Sequence, residues 1–292
     1  RFTNAILLEN SNDGYQYSLT GEVQRTVREG LGGSLSYTYT RAENVNNGSS
    51  SRAISNWQFN ENKDINDPSL GTADYEIRHR ILGTLNYTFT YADRFGTTLG
   101  LIYEGRSGEP FSWIYDGNAN GDTQTLNDLV YVPENESDII LESDNWDLMN
   151  AFIEGNEALD DARGSVIDRN TARAPWQNIL DVRLSQRIQT FEGQRIEFIA
   201  EVDNFLNLLN DDWGRIENTS FNNITAWAFE GYVTPDEVGT RENGRILTED
   251  DVGKPRVNFE EETVREKLNG DQFFIQDIPS RWRARLSIKY TF

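Results

Sequence analysis

The last eleven residues constrain the fold of this chain more than any other segment. From Trp282 to Phe292, apolar and polar side chains alternate without a break, and the run ends on an aromatic residue. Successive side chains of a strand point to opposite faces, so the apolar set shares one face. That set consists of Trp282, Ala284, Leu286, Ile288, Tyr290 and Phe292. The pattern predicts a lipid-facing strand of an outer-membrane barrel, with Trp282, Leu286, Ile288, Tyr290 and Phe292 as a candidate membrane-insertion signal.

Composition agrees with a barrel. No window approaches the roughly 18 apolar residues of a membrane helix, and a closed barrel is the other structure that satisfies its backbone in lipid. Aromatic residues make up 12% of the chain although half of each predicted strand is polar, as expected for aromatic girdles at the two interfaces. The chain has no cysteine, and its net charge of −21 argues against DNA or RNA as a partner.

About eight segments alternate in this way and are bounded by turn residues. They lie near Asn4 to Glu9, Tyr15 to Val27, Ser34 to Thr40, Ile81 to Tyr91, Thr97 to Gly105, Asn178 to Gln189, Arg195 to Phe205 and Trp282 to Phe292. The sequence therefore predicts an all-β fold, an antiparallel transmembrane β-barrel.

The connections between these segments alternate in length. Turns of a few residues follow the second, fourth and sixth segments, whereas long connections occupy about residues 41–80, 106–177 and 206–281. Short periplasmic turns and long extracellular loops are typical of outer-membrane barrels. Asp and Glu are dense at about 134–168 and 236–266, so we expect long, acidic, solvent-exposed loops. A soluble β-sandwich remains an alternative, but it does not require this asymmetry.

The faces opposite the apolar ones carry charges of both signs on the last three segments. These residues are Arg183, Arg187, Arg195, Glu197, Glu201, Asp203, Arg283, Arg285 and Lys289. Such a charged face requires water or a polar plug beside it, because buried charges need partners. The alternative is a ladder of cross-strand ion pairs inside a small barrel.

Three motifs between residues 105 and 133 carry a resemblance. They are Gly105-Arg106-Ser107-Gly108-Glu109-Pro110-Phe111-Ser112, then Asp116-Gly117-Asn118-Ala119-Asn120-Gly121-Asp122, and then Asn127-Asp128-Leu129-Val130-Tyr131-Val132-Pro133. With Arg173-Ala174-Pro175-Trp176, Asp181-Val182-Arg183-Leu184 and Asp203-Asn204-Phe205-Leu206-Asn207, this order resembles the late barrel of Bacteroidetes-type TonB-dependent receptors. The specific likeness, from about Arg78 onward, is to the Oar-like group with a carboxypeptidase-regulatory-like N-terminal domain.

The resemblance implies a barrel of 22 strands, filled by an N-terminal plug and energised by TonB. Residues 1–292 would then be the C-terminal portion of that barrel, about eight strands, since plug and TonB-box sequences are absent from them. The implied function is energised substrate uptake, with the TonB complex (through the plug), the barrel-assembly machinery and outer-membrane lipid as partners. The alternatives are a self-contained eight-stranded barrel with a structural or adhesive role, and a docking platform for surface lipoproteins or secretion components.

The sharpest local chemistry lies between the fifth and sixth segments. Asp116, Asn118, Asn120 and Asp122 alternate as in the opening of an EF-hand loop, with Gly121 at the sixth position. Position twelve is Asn127 where a bidentate Glu belongs, but Asp128 follows and offers a carboxylate. A Ca²⁺ site at Asp116, Asn118, Asn120, Asp122 and Asp128 is one hypothesis. The alternative is that Asx-turns and glycine only shape a loop.

No catalytic constellation emerges from the sequence. The nucleophile-elbow, zinc-protease and phosphate-loop motifs are absent, and one His with no Cys excludes most metal and nucleophile triads. We therefore expect no enzymatic activity. The aromatic residues of the long loops could stack on a ligand, but packing within the loops is an equal alternative. They are Trp57, Trp113, Tyr115, Trp146, Trp213 and Trp227.

Overall fold

The computed structural model describes residues 6–7, 9–28, 30–48, 50–260 and 272–292. Residues 4, 5 and 8 of the predicted segment near Asn4 to Glu9 fall outside these residues, and its described residues 6, 7 and 9 belong to no strand. The end of the second acidic stretch, 261–266, also falls outside. Within the described part, no helix has the length and apolar character required to cross a membrane.

The described chain is dominated by strands. In chain order they are β1 Tyr15–Arg28, β2 Leu31–Asn44, β3 Gly71–Thr72, β4 His79–Tyr91, β5 Phe95–Arg106, β6 Pro110–Asp116, β7 Tyr131–Val132, β8 Ile140–Leu141, β9 Ser165–Val166, β10 Ala172–Arg173, β11 Gln177–Gln189, β12 Arg195–Asp203, β13 Glu217–Asn218, β14 Asn223–Tyr232, β15 Arg241–Glu242, β16 Arg245–Ile246, β17 Pro255–Asn258, β18 Phe274–Ile275 and β19 Arg283–Thr291.

The helices are short. They are α1 Ala53–Gln58, α2 Trp146–Glu154, α3 Glu157–Asp160, α4 Phe205–Leu209 and α5 Asp277–Ser280. Single 3₁₀ turns cover Glu136–Asp138, Ser220–Asn222, Pro235–Glu237 and Glu249–Asp251.

The long strands form one antiparallel sheet in the order β1-β2-β4-β5-β11-β12-β19, with β3 added to β2. Seven of the eight predicted segments are thus strands of this sheet, and the prediction of an all-β fold with mostly antiparallel strands is confirmed. The bounds differ by a few residues: β2 is longer than predicted at both ends, and Phe205 begins α4 instead of ending β12. Within the described residues the sheet is open, with β1 and β19 at its two edges.

Register keeps the apolar side chains of neighbouring strands on one face. Tyr87 lies opposite Leu99, Leu99 opposite Leu184, Leu184 opposite Ala200, and Ala200 opposite Leu286. A slip of one residue would move every such side chain to the other face, so these rows define the register. On β19 the candidate insertion residues Trp282, Leu286, Ile288, Tyr290 and Phe292 are all exposed, from 44% to 91%.

The turn between β1 and β2 depends on a glycine. Gly30 has a φ of +81°, and a Cβ built there would lie 1.9 Å from the Thr88 carbonyl oxygen. The backbone carbonyl of Gly30 also accepts a hydrogen bond from the Thr88 N–H, at 2.7 Å. Only glycine combines this backbone conformation with so close an approach of β4.

Two of the long connections are not irregular loops, contrary to the expectation from their acidity. Residues 107–176 and 204–282 supply a second sheet in the order β10-β6-β14-β17-β8, against which α2 and α3 pack. We call this sheet with α2 and α3 the loop module. Its core includes Trp113, Met149, Phe152, Trp227 and Phe259, each at most 2% exposed.

Helix α2 illustrates why an acidic segment still forms a core. Met149, Phe152 and Ile153 recur at helical spacing and are buried on one face, whereas Asp147 and Glu154 face solvent. The acidic residues therefore cover the outside of the module. Their density along the chain conceals the apolar stripe beneath them.

The Asp203-Asn204-Phe205-Leu206-Asn207 motif redirects the chain where it leaves β12. Asn204 adopts a left-handed conformation and its Nδ2 donates to the carbonyl oxygens of Gly214, at 2.8 Å, and Ser280, at 3.1 Å. Asn207 Nδ2 donates to the Trp213 carbonyl, and Asn207 Oδ1 accepts from the Trp282 N–H. These amides tie the end of β12 to the start of β19.

Candidate functional site

The inward face of β11, β12 and β19 carries a ladder of opposite charges. Glu201 accepts from Arg183 at 3.0 Å and from Arg285 at 2.7 Å, and Asp203 lies 3.8 Å from Arg283. The three arginines are all more than half exposed, so the ladder faces open space within the described residues. Cross-strand pairing and a polar surface are therefore both present, and the two interpretations of these charges are compatible.

Glu76 connects the sheet of long strands, β1-β2-β4-β5-β11-β12-β19, to the loop module. We call that sheet the wall. Its carboxylate is fully buried and accepts from the backbone N–H of Ala42 on β2, at 2.7 Å, from Arg78, at 3.0 Å, and from Arg173 on β10. Burial, and then the neighbouring Arg78, lowers the pKa of Arg173 to about 10. One carboxylate thus compensates two guanidinium groups where wall and module meet.

Arg169 and Asn170 form a second buried polar contact at this junction. Arg169 donates to Asn60 Oδ1 at 3.0 Å and to Asn44 Oδ1 at 2.8 Å, and Asn170 Nδ2 donates to the Thr72 carbonyl at 2.8 Å. Arg169 is 1% exposed and Asn170 is fully buried. Burial lowers the pKa of Arg169. The connection between β2 and β4 is thereby fastened to the module.

A cleft of about 730 Å³ opens between the end of the wall and the loop module. Its wall side includes Arg41 and Arg78, and its module side includes Arg173, Phe111 and Trp113. The lining also includes Glu157, Asp161 and Asp168, so its charged side chains are three arginines and three carboxylates.

The aromatic residues of the long loops divide into two groups. Trp113, Tyr115 and Trp227 are at most 3% exposed and pack in the module core, so loop packing explains them. Trp146 lies partly buried against that core, whereas Trp213 is 52% exposed. Ligand stacking by Trp113, Tyr115 or Trp227 would require the module to open.

The Asp/Asn loop runs from the end of β6 to the strand bridge at Asp128. Asp116 is exposed at the last position of β6, whereas Asn118, Asn120 and Asp122 lie in the turn, and Asp128 lies behind it at 2% exposure. Asp128 Oδ2 accepts from the backbone N–H groups of Ala119, at 2.5 Å, and Asn120, at 3.3 Å. The residues of the pattern thus form a turn whose backbone N–H groups bind the Asp128 carboxylate.

Asn127, the residue at the twelfth position, is as buried as Asp128. It is 1% exposed, and its Nδ2 donates to Asp122 Oδ2 at 2.9 Å. Across the described residues, no three His, Cys, Asp or Glu side chains come together as potential metal ligands. Asp116, Asp122 and Asp128 therefore do not converge as a carboxylate triad, and oxygens from asparagine become the relevant ones.

Asp128 and the adjoining tyrosines line a smaller cleft of about 380 Å³. Tyr115, Tyr131 and Tyr232 form its apolar part, and Asn62 and Asp128 contribute polar groups. Burial raises the pKa of Asp128 to about 6, against the lowering effect of the two backbone N–H donors. Burial, and then the Asp128 charge, raises the pKa of Tyr232.

Glu61 is a buried carboxyl whose charge is poorly compensated. It is 5% exposed and accepts from Asn223 Nδ2 at 2.9 Å, and burial raises its pKa to about 7. A raised pKa favours the protonated carboxyl in the fold. Its contribution to stability is therefore greatest below the ordinary value of 4.5 and is lost as pH rises through about 7.

Replacement of Glu61 by Gln is expected to stabilise the loop module at pH 8 by on the order of 2 kcal/mol, because the amide keeps the acceptor and removes the buried charge. Urea titration of tryptophan fluorescence measures the difference. It should vanish at pH 4, where both side chains are neutral. A Glu61→Gln protein that is less stable at pH 8 would mean that the ionised carboxylate is needed.

Sequence reasoning did not find Glu76, Glu61 or Arg169, and it noted Asn127 only as a departure from the EF-hand pattern. Each is a polar residue in a long connection, and its burial depends on contacts with segments far away in the chain. The Arg173-Ala174-Pro175-Trp176 motif was a partial signal, since Arg173 is the module's partner for Glu76.

The comparisons with known proteins returned one family. The model described as "Outer membrane beta barrel domain" matches residues 1–237. No curated protein and no solved structure matches the chain.

Proposed function

Because this chain belongs to the outer membrane beta barrel domain family, we propose that it forms barrel wall and outer loops of a TonB-dependent receptor for energised uptake. The protein is located in the bacterial outer membrane. Receptor function goes beyond what the family alone shows. It rests on the open sheet, on the charges of its inward face and on the resemblance of the later motifs to Oar-like receptors.

The open sheet is the observation that carries the proposal. Within the described residues, β1 pairs only with β2 along its length, and β19 pairs only with β12. Each unpaired backbone group in the hydrocarbon region costs several kcal/mol, so a sheet in lipid must close. Additional strands beside β1 and β19 would complete a barrel wide enough to hold a plug. The Arg183–Glu201–Arg285 ladder would then face that plug.

In this arrangement the loop module lies over the outer end of the barrel. Substrate would bind between loops and plug, and contact of the plug with TonB would rearrange it. The cleft lined by Arg41, Arg78 and Arg173 would form part of the vestibule. The barrel-assembly machinery would act on β19, whose exposed apolar face ends at Phe292.

A second candidate function is docking of a surface lipoprotein or another protein partner. Phe59 and Phe221, 55% and 82% exposed, stack with ring centroids 6.3 Å apart on the outside of the module. Phe221 also has a φ of +56°, which is costly for an aromatic residue. An exposed aromatic pair held in a strained turn favours a protein contact there.

The intact mass of the native polypeptide that contains this sequence tests the receptor proposal. We expect a mass well above the 33.4 kDa of residues 1–292, with plug-like peptides in the map, and capture of the purified protein by the TonB periplasmic domain. A native mass near 33.4 kDa would contradict it and favour the self-contained barrel. A larger protein that TonB does not capture would favour the docking platform.

A charge on the outward face of β19 should impair membrane folding. Leu286 is 84% exposed near the middle of the strand, so Leu286→Arg is expected to cost about 2–4 kcal/mol in a bilayer. Ser287→Arg, one residue along on the inward face, is the matched control and should cost less than half as much. Urea titrations of folding into phosphatidylcholine vesicles measure both, and equal costs would contradict the assigned faces.

A further inference from the structure

Buried side-chain oxygens without a hydrogen-bond donor are concentrated at the Asp/Asn loop. In the described part of the chain there are seven such oxygens, and four belong to Asn62, Asn118, Asn127 and Asp128. Buried polar atoms are normally hydrogen-bonded. An accumulation of buried acceptor oxygens without donors therefore indicates a site for a positively charged ligand.

The hydrogen bonds of these side chains fix how the unpaired oxygens are presented. The backbone donors of the turn occupy Asp128 Oδ2, which leaves Oδ1 without a donor. Asn127 turns its Nδ2 to Asp122 and so presents Oδ1 on the other side of the amide. Asn62 joins Asp128 through a parallel β-bridge. Asn127 and Asp128, each at most 2% exposed, thus hold buried acceptor oxygens that receive no hydrogen bond.

Within the part of the chain that the structure describes, no side-chain cation compensates the charge of Asp128. Among the ion pairs of the described residues, none includes Asp116, Asp122 or Asp128. The two lysines that line the adjoining cleft are engaged elsewhere: Lys63 pairs with Asp168 at 3.1 Å, and Lys254 pairs with Asp251 at 2.8 Å. A buried carboxylate needs a proton or a cation, and the described residues supply no cation to Asp128.

We propose that the loop binds a divalent cation, Ca²⁺, through Asn118 Oδ1, Asn127 Oδ1 and Asp128 Oδ1, with the Asp122 carboxylate beside them. All the donors are oxygens, as a hard cation requires. Irregular geometry and uncharged amide ligands suit Ca²⁺ better than Mg²⁺, which demands a near-octahedral shell and keeps its waters. The 380 Å³ cleft, lined by Asp128, gives an entry path.

This ligand set differs from the pattern read from the sequence. Asp116 lies exposed at the end of β6, and the Asn120 Oδ1 atom already accepts from the Asp122 N–H at 2.9 Å. Asn127 takes the place that an EF-hand gives to glutamate. The site does not depend on the receptor proposal, because its ligands all lie in the loop between β6 and β7.

Equilibrium binding of radioactive Ca²⁺ to the native protein, purified in detergent and treated with chelator, tests the site. We expect one Ca²⁺ per chain with a dissociation constant of about 10⁻⁴–10⁻³ M, the range of extracellular modules. Asp128→Asn should weaken binding at least tenfold. Asn118→Asp should tighten it, because the ligand oxygen stays and the site gains a charge. Asp250→Asn, an exposed acid of the same module, is the control and should bind as the wild type does.

A second measurement covers the case in which Asp128→Asn does not fold. For the wild-type protein, Ca²⁺ should raise the thermal midpoint of the module, and an equal concentration of Mg²⁺ should raise it less. Absence of saturable binding by the wild type at 10 mM Ca²⁺, or identical binding by Asn118→Asp and the wild type, would overturn the proposal.

Discussion

Trp113→Ala is expected to destabilise the loop module by about 3–5 kcal/mol while leaving the long strands folded. Trp113 is 1% exposed and meets Phe111 and Phe152 edge-to-face, with ring centroids 5.3 and 5.5 Å away. Removal of the indole leaves a cavity at the centre of β6, between β10 and β14, which cannot collapse without breaking both pairings. Hydrogen exchange should accelerate in α2 and β14 and stay unchanged in β11.

Trp213→Ala is the matched control for this experiment. Like Trp113, Trp213 lies in a predicted loop, but its side chain is 52% exposed. Trp213→Ala should therefore change the free energy of unfolding by less than 1 kcal/mol. If Trp113→Ala also accelerated exchange throughout β11 and β12, module and wall would be one cooperative unit. If neither variant had an effect, the module would contribute no independent stability.

The contrast between these tryptophans marks where sequence reasoning succeeds in this chain. The barrel strands follow from a period of two residues that is visible within a dozen positions, so β4, β11 and β19 could be bounded to within a few residues. The short turns between them were equally local. A lipid-facing side chain needs no tertiary partner to identify it.

The loop module could not be predicted because its pairings are non-local. The parallel pairing of β6 with β14 joins Ser112 to Asn223, across two strands of the wall. Trp113 and Trp213 both lie in connections that the sequence predicts as loops, and only this pairing decides which one is buried. The same holds for the candidate cation loop. The Asx pattern pointed to oxygens near Asp122, but burial of Asn127 and the approach of Asn62 depend on the fold.

The location of Glu76 suggests that wall and module are coupled through electrostatics more than through apolar contact. The carboxylate has no exposed surface, and it joins β2, the residue before β4 and β10. Arg78 and Arg173 retain 26% and 17% of their side-chain exposure, so neither can be rehydrated without movement. A plug or substrate that acts on this junction would change module and wall together.

Glu76→Gln is therefore expected to cost about 3 kcal/mol, because removing one partner of a buried ion pair leaves the other uncompensated. Gln keeps the acceptor for the Ala42 N–H, so the loss isolates the charge. Glu104→Gln is the control: Glu104 pairs with Arg80 at 2.9 Å, but both side chains are at least 30% exposed, and its loss should cost less than 1 kcal/mol. Urea titration of the module in native protein compares the two. Equal losses of stability in the two variants would contradict this, since burial would then add nothing to the Glu76 pairings. A larger loss for Glu76→Gln, together with faster hydrogen exchange in both β2 and β10, would establish this carboxylate as the link between the two strands.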